Sequence, residues 1–217
     1  MRNCRIPLDS RHILRTAVQF ADEHGLNSLS MRRLASELGV EAMSLYHHIK
    51  NKDELLDEMV EQIFQEFKPP VPGQDWYLEM VRRSQAMRQV MLHHRWALGL
   101  IESRAHPGPA TLEHHNAVLG TLRAAGFTVP QAAHAFALLD SFIYGFVLQE
   151  LSVPFSTGDE AADLAQSILS HMAPDEYPHL VELAREHVLQ PNYNFGDEFA
   201  TGLKLILDGL ATMRDRR

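Results

Sequence analysis

The chain has 217 residues, 45% of them hydrophobic and 22% charged, with a formal net charge of −8 and one cysteine, Cys4. That composition leaves room for one large or two modest cores, and it excludes collagen-like, low-complexity and disulfide-stapled chains. A lone cysteine forms no internal disulfide, and the polar start MRNCRIPLDS lacks a signal-peptide core, so a cytoplasmic location is expected.

Apolar residues recur at three- and four-residue spacing and no alternating strand pattern stands out, which predicts an all-α fold. Asp9 or Ser10 caps a first helix carrying Ile13, Leu14, Ala17, Val18 and Ala21, and Gly25 ends it. Ser30 caps a second helix, MRRLASEL, which stops at Gly39, and a third covers about 41–49. Asn51 and Glu54 form a capping box for a fourth, KDELLDEMVEQIFQEF. The stretch KPPVPGQD then breaks the pattern, because consecutive prolines forbid helix continuation. The expected organisation is a three-helix head at 1–52, a connecting helix at 53–67 and a helical body at 68–217. Body helices are expected at about 75–95, 97–104, 109–125, 129–152, 159–171, 176–188 and 195–214, with Pro and Gly in the gaps. The most apolar stretch, AAHAFALLDSFIYGFVLQ, is interrupted by His134, Asp140 and Ser141, so it reads as a buried helix rather than a membrane span.

Charge is unevenly spread. Residues 1–52 hold eight Lys/Arg against five Asp/Glu, a net +3, while the remainder carries −11. A basic head on an acidic body is the asymmetry expected where only the head approaches a polyanion. The head also has helix-turn-helix spacing. Ala35 is small where two helices cross, Gly39 accepts the positive φ of the turn, and Leu45 returns the third helix to the core. The outer face of that helix carries Glu41, Ala42, Ser44 and His48, with Tyr46 and His47 on its flanks. Such a face can meet base edges in a major groove, while Arg32 and Arg33 before it and Lys52 after it hold phosphates.

The body offers two further expectations. Phe136, Leu139, Phe142 and Phe146, with Phe199, Leu203, Ile206 and Leu210 on the last helix, are expected at a homodimer interface, since a helix apolar all round must be covered on several sides. Gly202 and Gly209 would let another helix approach the last one closely. Phe64, Met87, Met91 and Trp96, with Arg83 and His93 as polar handles, are expected around a pocket for a small apolar or aromatic effector. The pairs His47-His48, His93-His94 and His114-His115 suggest metal, but neighbours on a helix point about 100° apart, so no metal site is expected. Enzyme motifs are absent: there is no Gly-rich phosphate loop, nucleophile elbow or HExxH. A helical protein-interaction module is the other reading of an acidic helical chain.

The stretch LSMRRLASELGVEAMSLYHHIKNKDELLDEM resembles the DNA-binding head of the tetracycline-repressor (TetR) family, above all in Leu45-Tyr46-His47-His48, Lys50-Asn51-Lys52 and the following ELL. MLHHRWALGL, LEHHNAVLGTLRAAGFTVPQAAHAF and DSFIYGFVLQE resemble the body of the tetracycline-repressor branch. The resemblance implies an all-α, ligand-responsive regulator that binds a palindromic DNA operator as a homodimer, normally as a repressor. Family DNA-contact positions fall on Arg32, Ser44, Tyr46, His47, His48 and Lys52. Its base-reading positions are here Glu41, Ala42 and Met43, less polar than in the tetracycline repressor. The histidine and glutamate associated with that repressor's magnesium–drug complex are replaced by Ser141 and Gln149, which speaks against that metal and drug, and no cofactor is expected.

Overall fold

The computed structural model describes residues 8–155, 157–172 and 176–216; Cys4 lies outside them. Among the described residues there are eleven α-helices and no strand. The head comprises α1 (Ser10–His24), α2 (Met31–Glu37) and α3 (Ala42–Leu45), and α4 (Lys52–Glu66) leads out of it. The body holds α5 (Trp76–His93), α6 (Ala97–Ser103), α7 (Pro109–Ala124), α8 (Val129–Ser152), α9 (Gly158–Ser170), α10 (Pro178–Leu183) and α11 (Glu198–Asp215).

Helix starts follow from local capping. Asp9 accepts from the His12 N–H at 2.7 Å, Ser30 from Arg33 at 3.3 Å and Asn51 from Glu54 at 2.8 Å, each satisfying an N–H that the first helical turn leaves unpaired. The expected capping box at α4 forms only in part, because the Glu54 carboxylate takes the Lys50 N–H rather than that of Asn51. α3 is shorter than expected. After Leu45 the chain tightens, with both His48 and Ile49 N–H groups returning to the Leu45 carbonyl, so that Ile49 reaches the core before Asn51 starts the next helix.

In the body, α5 packs on α8, α8 on α11, and α4 on α7. Phe142 stacks on Phe199 with ring centroids 5.3 Å apart, and Phe146 stacks on Phe195 at 5.1 Å. Residues expected to face a second copy also pack within the chain itself. Leu139, Phe199, Leu203 and Leu210 are buried within the chain, and Phe142, Phe146 and Ile206 are half-buried against the same core. Phe136 faces a cavity on the other side of α8. The cause is that α8 is apolar on nearly every side, so spacing alone does not say which stripe its own chain covers. Gly202 likewise serves the chain's own packing: a Cβ there would lie 2.8 Å from the Phe142 ring, whereas Gly209 faces open space.

α8 is long and apolar enough to cross a membrane by length and composition, yet only 28% of its most apolar window is buried within the chain. Its outer side leaves Leu138 exposed, and α11 leaves Leu205 69% exposed.

Replacing Gly202 with valine is expected to destabilise the fold by about 1–3 kcal/mol, because the Phe142–Phe199 stack must move. Urea denaturation measures this, and an unchanged midpoint would contradict the close α8–α11 contact.

Candidate nucleic-acid interface and effector cavity

The head presents one reading surface. Ala35 and Leu45 are buried where α2 meets α3, and Gly39 turns the chain between them with φ of +64°. With Leu45 inward, Glu41, Met43, Tyr46, His47 and His48 are exposed, Ala42 and Ser44 half-buried. Met43 is 70% exposed, which is unusual for so apolar a side chain and fits contact with a thymine methyl or sugar edge. Arg32 and Arg33 are exposed on α2. Two of the expected phosphate ligands also brace the head itself: Arg33 donates to the Ser28 carbonyl at 3.2 Å, and the Lys52 ammonium to the Leu29 carbonyl at 2.8 Å. Both cations are thereby held beside the N-terminal ends of α2 and α4, whose free N–H groups attract anions.

The body contains a cavity of about 900 Å³ walled by α4, α6, α7 and α8. Its walls carry Val60, Phe64, Leu98, Ile101, His115, Phe136, Tyr144 and Leu148, with Glu102, Arg104, Thr111, Asp140 and Ser141 as polar groups. The His115 ring meets Phe64 and Phe136 edge-on at 5.6 and 5.1 Å. Of the six residues expected around an effector, Phe64 lines this cavity. Arg83 lies behind its wall, and Met87 and Met91 are fully buried in the core. His93 and Trp96 line a different cavity, of about 730 Å³, between α1 and the start of α6. The lining missed in the sequence is the stripe Phe136, Asp140, Tyr144 and Leu148. Its four-residue spacing, broken by one carboxylate on an otherwise apolar helix, was the available signal.

Behind the wall sits a buried polar network. Arg83 donates from Nη2 to Asp140 at 2.6 Å and from Nε to His114 Nε2 at 3.0 Å. His114 therefore accepts through Nε2 and carries its proton on Nδ1. Burial, then the Arg83 charge, then His115, hold its pKa down at about 3, so it is neutral at physiological pH. The same burial lowers His115, while burial and the Asp140 charge raise Tyr144 well above the usual phenol range. Arg83 Nη1 and His114 Nδ1 are buried without a hydrogen-bond partner, so the network is not fully satisfied.

The connecting helix is fastened to this cavity at several points. Glu61 accepts from the Ala110 N–H at 2.6 Å, the Thr111 N–H at 3.3 Å and the Thr111 hydroxyl at 2.6 Å, capping α7 from outside. Gly108 makes room for that carboxylate, since a Cβ would lie 2.4 Å from Glu61 Cδ. One turn earlier, Asp57 accepts from Arg104 at 2.5 Å, and Arg104 lines the cavity. One turn later, Phe64 forms part of the wall.

A helix-turn-helix head joined by one helix to the wall of a small-molecule cavity defines a ligand-responsive, DNA-binding transcriptional regulator. Residues 13–59 match the pattern described as bacterial regulatory proteins, tetR family, and residues 69–214 the tetracyclin repressor-like C-terminal domain. The chain belongs to the TetR family. It is 30% identical over 214 residues to the HTH-type transcriptional repressor DrrR1 of Streptomyces coeruleorubidus, covering 94% of this chain and 78% of that protein. It is 29% identical over 210 residues to the class A tetracycline repressor from transposon 1721 of Escherichia coli, covering 95% and 92%. Among solved structures, ActR of Streptomyces coelicolor superposes with a TM-score of 0.80 as the apo protein, at 30% identity, covering 96% of this chain and 97% of that one. Its complex with actinorhodin gives 0.79, covering 97% and 100%.

The His114 environment makes stability pH-dependent. An unfolded histidine binds a proton near pH 6.5, whereas folded His114 refuses it until about pH 3. Stability from this group is thus fully present above pH 6.5 and falls as the pH drops toward 3, by up to about 1.4 kcal/mol per pH unit. A His114→Gln variant, whose amide oxygen still accepts from Arg83, is expected to show a flatter decline in urea midpoint between pH 6.5 and 4.5. Parallel declines would contradict the assignment.

Proposed function

We propose that this protein represses transcription by binding a palindromic operator as a homodimer, and that a small aromatic effector entering the α4–α8 cavity releases it. The observation that carries this reading is the fastening of α4, through Asp57, Glu61 and Phe64, to the cavity that an effector would occupy. A ligand that displaces Arg104 or the start of α7 changes the angle of α4, and with it the separation of two heads that must sit one helical turn of DNA apart. The cavity volume lies within the usual range for small-molecule sites. Its edge-on rings favour a flat, largely apolar molecule, and Asp140, one oxygen of which Arg83 holds, favours a hydroxyl or amine donor on that molecule. The ActR structures with actinorhodin and with (S)-DNPA support small-molecule control in a body of this fold. DNA contacts are assigned to Arg32, Arg33, Glu41, Ala42, Met43, Ser44, Tyr46, His47, His48 and Lys52, acting on DNA in the cytoplasm.

The dimer face we assign to the outer stripes of α8 and α11, where Leu138 and Leu205 are exposed and Gly209 faces open space. Four helices, two from each copy, would cover this apolar seam.

Binding to DNA from upstream of the protein's own gene, read by fluorescence anisotropy over a salt series, tests the first part. Sequence-selective binding that weakens steeply with salt is expected. Tyr46→Ala and Arg32→Ala are each expected to weaken it about tenfold or more. Equal binding by wild type and both variants would remove the reading helix from the mechanism. A Leu138→Asp, Leu205→Asp double variant is expected to sediment as a folded monomer; an unchanged dimer would place the seam elsewhere.

A further inference from the structure

At the joint between head and body, side chains from three separate elements converge on one imidazole. His94 Nδ1 lies 2.7 Å from Asp22 Oδ1 on α1, and Nε2 lies 3.2 Å from Glu66 Oε2 at the end of α4. The Trp96 indole N–H also donates to Asp22 Oδ1, at 2.7 Å. The His94 side chain is only 6% exposed. A neutral imidazole has an N–H for only one of the two carboxylates, which leaves the lone pair of its other nitrogen available to a cation. On the Nδ1 side a third donor is present. Asp22, His93 and His94 offer ligand atoms that all lie within 4.8 Å of one another.

Adjacent histidines converge here because the helix stops between them. His93 is the last residue of α5, and His94 leaves helical geometry with φ −100° and ψ 69°, which re-aims its ring; the two centroids are 4.6 Å apart. The carboxylate comes from Asp22, 72 residues earlier. We propose that Asp22, His93 and His94 bind a divalent transition-metal ion of the zinc, cobalt or nickel kind.

Two imidazoles and one carboxylate suit those ions, whereas magnesium and calcium favour all-oxygen sets. The surroundings match what such a site needs beyond its ligands. Glu66 accepts from the far N–H of His94, the carboxylate–histidine arrangement that orients a metal-bound ring, and Trp96 orients Asp22. The neighbouring cavity, lined by Asp22, His24, His93 and Trp96, supplies an entry path and space for water at the remaining coordination positions. With ligands on α1 and at the α5–α6 junction, and Glu66 on α4, the ion clamps the head to the body. Metal occupancy and any event that moves the head are then reciprocally coupled.

The test uses untagged, chelator-treated full-length protein titrated with Co²⁺, read by its d–d absorption, and with Zn²⁺ in competition. One ion per chain with micromolar affinity is expected, and saturating Zn²⁺ should raise the Tm. His93→Ala removes an exposed ligand, so its metal-free Tm should match wild type while its metal affinity falls at least about tenfold. Glu66→Gln, which keeps the metal ligands, should weaken binding by about tenfold. No saturable binding below about 1 mM overturns the proposal, as does binding that both Asp22→Asn and His93→Ala leave intact. The titration involves no DNA, so its failure is separate from any failure of the regulator reading.

Discussion

The carboxylate of Glu61 is the contact on which communication through this molecule depends. α7 begins at a proline with only a glycine before it, so its first N–H groups have no side-chain cap of their own. Glu61 supplies that cap from another helix, and the positive end of the α7 dipole favours its charge. Because α4 starts from the Asn51 cap directly after the reading segment, the same helix that closes the body also carries the head. Without Glu61, α4 would be held to the body by apolar contact and by polar pairs such as Asp57–Arg104. A charged cap with three donors holds one register.

The buried Arg83 network plays the complementary part on the far wall. An arginine with no exposed surface, a neutral histidine and a carboxylate at the cavity rim fix α5, α7 and α8 against one another. The network leaves two buried nitrogens unpaired, so it contributes less to stability than an apolar core of the same volume would. What it provides is a cavity whose Asp140 carboxylate is held in place by Arg83. The cavity thereby has a polar wall on α8, opposite a wall on α4 that leads to the head.

Much of the head was legible in the sequence because its signals are local. Asp9, Ser30 and Asn51 cap the helices they were expected to cap, and Gly39 turns where the Ala35–Leu45 spacing requires. The body was legible as helices but not as surfaces. On α8 nearly every side is apolar, so the stripe that faces α11, the stripe that lines the cavity and the stripe left outward could not be told apart by periodicity. Phe136, expected at a subunit contact, lines the cavity, while Leu138 is exposed outside it. The methionines of α5 looked like adaptable pocket walls and are ordinary core. Groupings assembled by the fold from distant segments, such as Asp22 with His94, leave no trace in local spacing at all.

The geometry of α4 gives its attachment point a mechanical advantage. From Glu61 back to Lys52 the helix runs nine residues, about 14 Å at 1.5 Å per residue. A swing of about 10° about the Glu61 joint displaces the far end by roughly 2 Å, and two copies swinging in opposite senses change the spacing of their heads by roughly twice that. This exceeds the rise of about 3.4 Å between successive base pairs. The connecting helix is therefore a lever with its fulcrum close to the cavity. Its short arm lies where a ligand a few ångströms across can push, and in the proposed homodimer its long arm would end at the head that meets DNA.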